Sequence, residues 1–529
     1  MRTHDPRTIL TRYRNAKARR GMWEGLWREC VDYTLPQRDG GVGQATPGER
    51  KGDRLFDATA GDAAEQLAAS LLSELTPPWS RWFGLAPGQT LNDEERRAVG
   101  PYLGHVEDVV QGHLDRSNFA VEMHQCYLDL VTLGTACLLF EEAPLGEASA
   151  FRFKAVPLQE AVLEEGPDGK LDATFRRSEL TAQQLAARFG AEALPHDLRE
   201  RGEEAEDERI AVVEAVLPDG AAYDYIAVLD RAGGGGHGGG SDEGVLASGR
   251  FGRSPFINFR WMKAPGEVYG RSPVMRALPD IKTANKVVEL TLKNASIAVT
   301  GIWQADDDGV LNPASVRLTP GTIIPKAVGS SGLTPLQAPG SFDVSDLMLG
   351  DLRERIRRAL MANQLSQVNS PNMTATEVMQ RSSELSRLLG ATYGRLQAEL
   401  LTPLVARALA ILGRRGEIDS LSLDGRLVEL QARSPLAQAQ AQRDISNTAA
   451  WVERLAAFGE PALAVVNVAE TARWIGRRLG VPGSLINEDP ALDELPQQPV
   501  QQQPVQQQPV PQDLPPEAMA PEGGGGGLV

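Results

Sequence analysis

Few residues in this chain have the type and spacing to do chemistry. The nearest approach to a phosphate-cradling loop is Gly166-Pro167-Asp168-Gly169-Lys170-Leu171. It fails the G-x-x-x-x-G-K-[ST] pattern on the spacing of its glycines and on the terminal hydroxyl. The glycine run at 233–240, broken only by His237, lies between two strand-like segments with no helix behind it, so it reads as a hairpin tip. His105, His113 and His124 fall near Glu107 and Asp108, but their spacing is that of surface helix residues rather than metal ligands. Asp306, Asp307 and Asp308 are consecutive and lack the alternation of an EF-hand loop, which suggests a turn in water. There is no H-E-x-x-H, no G-x-S-x-G and no paired C-x-x-C. With no nucleophile near a base, neither an enzyme nor a bound cofactor or metal is expected.

The 529 residues include 54 Lys+Arg and 70 Asp+Glu, a formal net charge of −16. That length suggests roughly three or four domains, or one elongated multipart protomer. A hydrophobic content of 42% is enough to fill a core without staples. The acidic balance argues against tight nucleic-acid binding and leaves loose contact with DNA open. Cys30, Cys126 and Cys137 are too few, and odd in number, for a disulfide framework, which indicates folding in a reducing compartment. The longest apolar stretch, 128–140, is interrupted by Asp129, Thr132, Gly134 and Thr135 and falls short of the roughly 20 residues that span a membrane. The basic N-terminus has no apolar h-region. No membrane contact is expected.

The elements that would position any site are mainly helical. The N-terminal segment reads as a helix with Trp23 and Trp27 one turn apart, and with Arg12, Tyr13, Arg14, Lys17, Arg19 and Arg20 as a solvated basic face. A helix from about Asp57 carries Leu67, Leu71, Leu72 and Leu75 and stops at Pro77-Pro78. Trp79, Trp82 and Phe83 then read as an aromatic knot for core or subunit contact. Helices follow over 93–115 and 121–133, the second running into a strand at 136–140. From 151 to 259 short alternating runs predict an antiparallel sheet, interrupted by a helix at 181–189 and an acidic solvated turn at 203–208.

Gly270-Arg271-Ser272-Pro273 opens a long helix to about Val299. Ile281, Val288, Leu292, Ala295 and Val299 make one apolar seam, and Val287, Leu290 and Ile297 make a second flank. Lys282, Lys286 and Lys293 share the remaining face with Glu289. At 1.5 Å per residue the helix is roughly 40 Å long. Two apolar flanks and one charged face describe a helix squeezed between neighbours, as every such helix is in a ring of identical subunits. After β-type turns at 300–342, a helix from Val344 to about Gln364 is striped by Leu349, Leu352, Ile356, Ala359 and Leu360, with Arg353, Arg355, Arg357 and Arg358 among them. A loop containing Pro371 precedes Thr374 and Glu377, a capping box that starts another long helix, kinked at Pro403. Residues 435–486 are helical again. From Pro490 onward nine Pro, nine Gln and a terminal glycine run leave nothing to build a core from, so 486–529 reads as a disordered tail.

Several segments together resemble one family. They are Leu35-Pro36-Gln37-Arg38, the stretch Arg54-Leu55-Phe56-Asp57-Ala58-Thr59-Ala60 with Leu75-Thr76-Pro77-Pro78-Trp79, and Gly266-Glu267-Val268-Tyr269-Gly270-Arg271-Ser272-Pro273. Ala277-Leu278-Pro279-Asp280-Ile281-Lys282-Thr283 and Met373-Thr374-Ala375-Thr376-Glu377-Val378 complete the series. In order and spacing, over about residues 5–485, the chain resembles portal proteins (head-to-tail connectors) of short-tailed, T-seven-like bacteriophages, the podovirus or autographivirus type.

The resemblance implies an α+β, mainly helical, elongated protomer with wing, stem, clip and crown regions, closing as a dodecameric ring around a DNA channel at one capsid vertex. Carried onto this chain, the wing would be 1–270, the first stem helix 271–299, the clip 300–342 and the second stem helix 343–365. The tunnel loop would be 366–373, the long helix returning to the wing 374–416, and the helical crown 417–485. Trp303, Asp306, Asp307 and Asp308 become candidate clip contacts. Gln367, Val368, Asn369, Ser370, Pro371, Asn372 and Met373 become candidates for the loop that constricts the channel. The implied partners are further copies of the chain, the major capsid protein, a scaffolding protein, the terminase large subunit, tail adaptor and nozzle proteins, and double-stranded viral DNA held non-specifically. Assembly in a host cytoplasm and residence in the virion would follow, with genome packaging and ejection as the function and a separate ATPase as the source of energy.

A conduit must let duplex DNA slide without holding it, and each phosphate neutralised by Lys or Arg adds affinity through counterion release. Sparse lysines diluted by a carboxylate suit that task, so Lys282, Lys286 and Lys293 are the candidates for the channel face. The competing reading puts them on the outside of the stem. Arginines 353–358 suit intersubunit salt bridges as well as DNA. A different ring-forming virion structural or scaffold component, without a DNA channel, would share the helix seams and need no loop at 366–373.

Overall fold

Helix α1 (Pro6–Thr34) begins where Asp5 accepts the Arg7 N–H and Pro6 supplies a helical φ at the first position. The computed structural model describes residues 5–37, 52–88, 90–196, 209–230, 244–300, 303–305, 328, 333–335, 342–362, 390, 392–421, 423–433, 435–459, 462, 465–479 and 481. Within them α2 (Thr59–Leu75), β1 (Phe83–Pro87), α3 (Asp93–Asp115), α4 (Phe119–Leu133) and β2 (Thr135–Glu142) follow α1. Then come β3 (Phe151–Val156), β4 (Ala161–Glu165), β5 (Leu171–Leu180), α5 (Ala182–Phe189), β6 (Ile210–Asp219), β7 (Ala222–Leu229), β8 (Val245–Phe251) and β9 (Phe256–Arg260). The chain continues with α6 (Pro273–Thr300), β10 (Trp303–Ala305), β11 (Leu333–Pro335), α7 (Phe342–Ala359), α8 (Thr402–Arg415), β12 (Val428–Ala432), α9 (Pro435–Ala457) and α10 (Val468–Leu479). The architecture is α+β and mainly helical. The acidic patch at 203–208 and the glycine run at 233–240 lie outside the described residues.

Strands β4 to β8 form an antiparallel meander in sequence order. Period-two alternation sends Val213, Ala215 and Leu217 to the face covered by Ile9 and Tyr13 of α1, and Val212, Ala227 and Leu229 to the face covered by Leu185 of α5. The second sheet, in the order β3-β2-β9, carries Ala136, Leu138 and Phe140 into the largest core. There they join Leu67, Leu71 and Leu75 of α2, Met123 and Tyr127 of α4, and Leu404, Ala408 and Ile411 of α8. Ala60, Ala63, Ala64 and Ala68, all buried, let α2 approach its neighbours closely. Strand β12 pairs with β1, Val428 opposite Pro87, so the chain beyond α8 returns to the α2–α3 connection before entering α9.

Three local expectations need correction. The basic run of α1 is a solvated face except at Tyr13 and Arg20, and its exposed arginines are paired. Arg12 and Arg19 both reach Glu164 at 2.6 Å, and Arg14 reaches Asp230 at 2.9 Å. Arg20 is 3% exposed and donates to the carbonyls of Leu158, Gln159 and Ala161 and to Glu24. Those carbonyls surround the start of β4, and a guanidinium fork satisfies several at once. The aromatic knot is divided: Trp82 and Phe83 are buried with ring centroids 4.9 Å apart, while Trp79 is 74% exposed. Helix α7 ends at Ala359 rather than near Gln364, because Met361 takes φ 58°, a left-handed conformation that cannot continue a helix.

The helical stretch Thr392–Arg415 is apolar because it runs through the core, where Leu400, Leu401, Leu404, Val405 and Leu412 are buried. Pro403 is absorbed by a π-turn at Gln397–Leu401, in which the Thr402 N–H donates to the Gln397 carbonyl. Glu399 sits in that turn and reaches Arg260, 1% exposed in its side chain, at 2.6 Å. Residues 363–389, with the Thr374–Glu377 capping box, lie outside the described residues.

Candidate DNA-facing helix pair

Helix α6 is anchored at its start by small and hydroxylated residues. Ser272 Oγ accepts the Met275 N–H at 2.9 Å and donates to the Thr132 carbonyl at 2.8 Å, capping the helix while tying it to the end of α4. Gly134 has φ +79° and lies against Gly270 so closely that a Cβ on Gly134 would stand 2.4 Å from the Gly270 carbonyl oxygen. Only glycine fits both the dihedral and the gap.

From this anchor α6 runs antiparallel to α7. Arg276 donates to the Ala359 carbonyl and Arg355 meets Asp280 at 2.8 Å. Ile281 and Ala284 of α6 are buried with Leu352 and Ile356 of α7 and with Leu360 just beyond its end. Asn285 then binds the 54–57 segment. Its Oδ1 accepts the N–H groups of Phe56 and Asp57 at 2.7 and 3.1 Å, and its Nδ2 donates to the Arg54 carbonyl at 2.9 Å. Arg353 of α7 closes the arrangement on Asp57. Arginines 353 and 355 therefore make ion pairs inside the protomer, where the sequence pointed to intersubunit bridges or DNA. Asn285, Asp57 and Arg353 were not singled out as a group by sequence. The available signal was an asparagine, a poor helix former, inside a long amphipathic helix.

The three candidate lysines fall on one face of α6. Lys286 and Lys293 share one carboxylate, Glu289, at 3.0 and 2.6 Å. Hydrogen bonds from Lys293 and Lys286 hold the Glu289 carboxyl below its ordinary range. Lys282 turns to Glu29 of α1 at 3.2 Å. At 100° per residue, Leu290 and Leu292 lie on either side of this lysine face. They are 50% and 54% exposed in the single chain. On α7, Leu347 and Met348 are 79% and 53% exposed.

Of the other candidates, Trp303 lies in β10, where it pairs with Pro335 of β11. Asp306, Asp307 and Asp308, and Gln367, Val368, Asn369, Ser370, Pro371, Asn372 and Met373, lie outside the described residues. The histidines do not converge. His113 Nε2 instead donates to Glu417 at 2.6 Å, while its Nδ1 accepts the Ala150 N–H.

The chain is similar to the portal protein of Salmonella phage epsilon15, 24% identical over 526 residues that cover 93% of this chain and 89% of the relative. It is similar to the portal protein of Escherichia phage T7, 24% identical over 519 residues covering 92% and 90%. Among solved structures, the neck of a native GTA particle computed with C12 symmetry aligns over 79% of this chain and 91% of its own, at 13% identity and a TM-score of 0.35, a likeness too low to carry an argument. The family described as bacteriophage head to tail connecting protein matches residues 6–486, and the chain belongs to it.

Proposed function

We propose that this chain is the portal subunit of a bacteriophage. Copies close into a ring, a dodecamer in the form the family resemblance implies, at one capsid vertex, and viral DNA passes through the ring during packaging and ejection. The observation that carries the reading is the placement of Leu290 and Leu292, half-exposed on either side of the lysine face, with α7 packed behind. A helix covered at the back by its own protomer, and needing cover on two flanks, is satisfied by one copy on each side. The face left open is the one with Lys282, Lys286 and Lys293, and in a closed ring it turns toward the hollow. Weakly basic and paired with carboxylates, it suits a duplex that slides.

On this reading α6 and α7 are the stem, and β10 with β11 belongs to the clip that meets the terminase and later the tail adaptor. Residues 366–373 form the constriction, 1–270 the wing and 417–485 the crown. The protein is structural, with no catalytic step of its own. Capsid and scaffolding proteins would surround the wing.

Solution mass and end-on electron microscopy of the purified chain test the proposal together. A closed ring of about twelve copies around an open hole is expected. A monomer under every assembly condition overturns the ring, and a ring with a plugged centre favours a virion component without a DNA channel.

A further inference from the structure

Both lysines of the distal half of this face, Lys286 and Lys293, are engaged by a single carboxylate. We propose that Glu289 is a brake on DNA binding: it occupies both ammonium groups and keeps the lysine face from gripping the duplex. The inference rests on the channel reading above and adds a residue that tunes it. Glu289 is positioned for this by helix geometry alone, since Lys286 is three residues before it and Lys293 four residues after, the two spacings that meet on one helix face. Its side chain is 19% exposed and lies between two lysines that are 60% and 65% exposed. The cations are therefore within reach of a passing phosphate while the carboxylate stays in place. Lys282 has a similar arrangement with Glu29, contributed by α1.

The physical consequence is graded. Ion pairs this exposed are weak, so a phosphate can displace the carboxylate and be displaced by it in turn. A lysine without a partner would instead bind phosphate with full counterion release, and every copy in a ring would repeat that contact. Three lysines and two carboxylates per protomer leave the face only slightly positive, which favours a duplex that stays centred and moves.

The test uses the purified assembled ring and a random-sequence DNA duplex, with binding measured across a series of salt concentrations. Glu289→Gln keeps the side chain's size and removes its charge. It is expected to bind DNA about tenfold more tightly near 0.1 M salt, with a steeper salt dependence and unchanged ring mass. Adding Lys286→Ala and Lys293→Ala to that variant should return binding to the wild-type level or below. Wild-type affinity and salt dependence in Glu289→Gln overturn the proposal. The triple variant Lys282→Ala, Lys286→Ala, Lys293→Ala separates the two ways of failing. If it weakens binding while Glu289→Gln changes nothing, the face meets DNA and Glu289 does not restrain it. If neither variant moves the affinity, the face does not meet DNA, and the channel reading falls with the brake.

Discussion

Arg353 Nε lies 2.8 Å from Oδ2 of Asp57, a carboxylate whose side chain is only 4% exposed. Asp57 Oδ1 meanwhile accepts the Thr59 N–H in the first turn of α2, and Asn285 of α6 holds the two backbone N–H groups leading into that turn. Both long helices are thereby fastened to one short segment of the body. Their direction is set by polar contacts at that segment as well as by the apolar packing of Ile281, Ala284, Leu352 and Ile356.

That contact gives stability a pH dependence of known sign. Burial alone would raise the Asp57 carboxyl. The hydrogen bonds from Thr59 and Arg353, with the Arg353 charge, overcome this and leave it below the ordinary carboxylate range. A group depressed on folding contributes stability that is complete above its unfolded value, about 3.9, and is lost as pH falls through the folded value. Asp57→Asn should therefore cost about 1–3 kcal/mol at neutral pH, toward the low end because Arg353 is half-exposed. The gap from wild type should begin to narrow as pH falls past about 4 and should close only below the lower, folded value of the carboxyl. Unfolding curves at neutral pH and through the acid range down to where the folded carboxyl protonates check this, and a gap independent of pH would show that the charge is not responsible.

Gly134→Ala should be among the most damaging small substitutions in the chain. The new Cβ would meet the backbone of Gly270 at 2.4 Å and sit at φ +79°. Neither obstacle is a side chain that can move aside, so a loss of about 3 kcal/mol or more is expected, seen as a lower melting temperature or insoluble protein. Gly104→Ala, inside α3 with nothing within 4 Å of the added carbon, should instead raise stability by about 0.5–1 kcal/mol.

None of the three cysteines is in a disulfide, and all are buried. Burial, with Glu29 nearby, pushes the Cys30 thiol up to about 12, and burial pushes Cys137 up as well. The thiolate is the reactive form. A colorimetric thiol reagent at neutral pH should therefore count essentially no cysteines in the folded chain and all three after denaturation. Rapid labelling of the native protein would contradict the buried placement.

What could be read from sequence was whatever depends on neighbours along the chain. The bounds of α3 follow from local signals, with Asn92 and Glu95 closing a capping box, and so does α5, with Thr181 and Gln184 doing the same. The lysine face of α6 needed only helical periodicity. What could not be read depends on partners far away. Arg20 and Lys17 look alike in sequence, yet Arg20 is buried because carbonyls of Leu158 and Ala161, some 140 residues on, lie beside it. Trp79 and Trp82 are equally apolar, yet Trp82 is the one covered, stacked on Phe119 of α4 some way along the chain, while Trp79 stays exposed. Glu399 gives no sign in sequence of its tie to Arg260, which requires the π-turn at Gln397–Leu401 to aim it.

The ring can be tested at the two leucines that flank the lysine face. Leu290 and Leu292 are half-exposed in the protomer, so a charge at either position should cost the isolated chain little, within about 0.5 kcal/mol. In a ring each would be pressed against a neighbour, where an unpaired carboxylate is expensive to bury. Leu290→Glu and Leu292→Glu are thus expected to leave the melting profile and helix content of the monomer unchanged while abolishing or sharply weakening ring formation, read as a fall in solution mass. Because the two side chains point to opposite flanks, either substitution alone should suffice: a ring needs both of its repeating contacts on every copy. Rings of normal mass from both variants would mean that these flanks face solvent, and the lysine face would lose the geometric reason for turning inward.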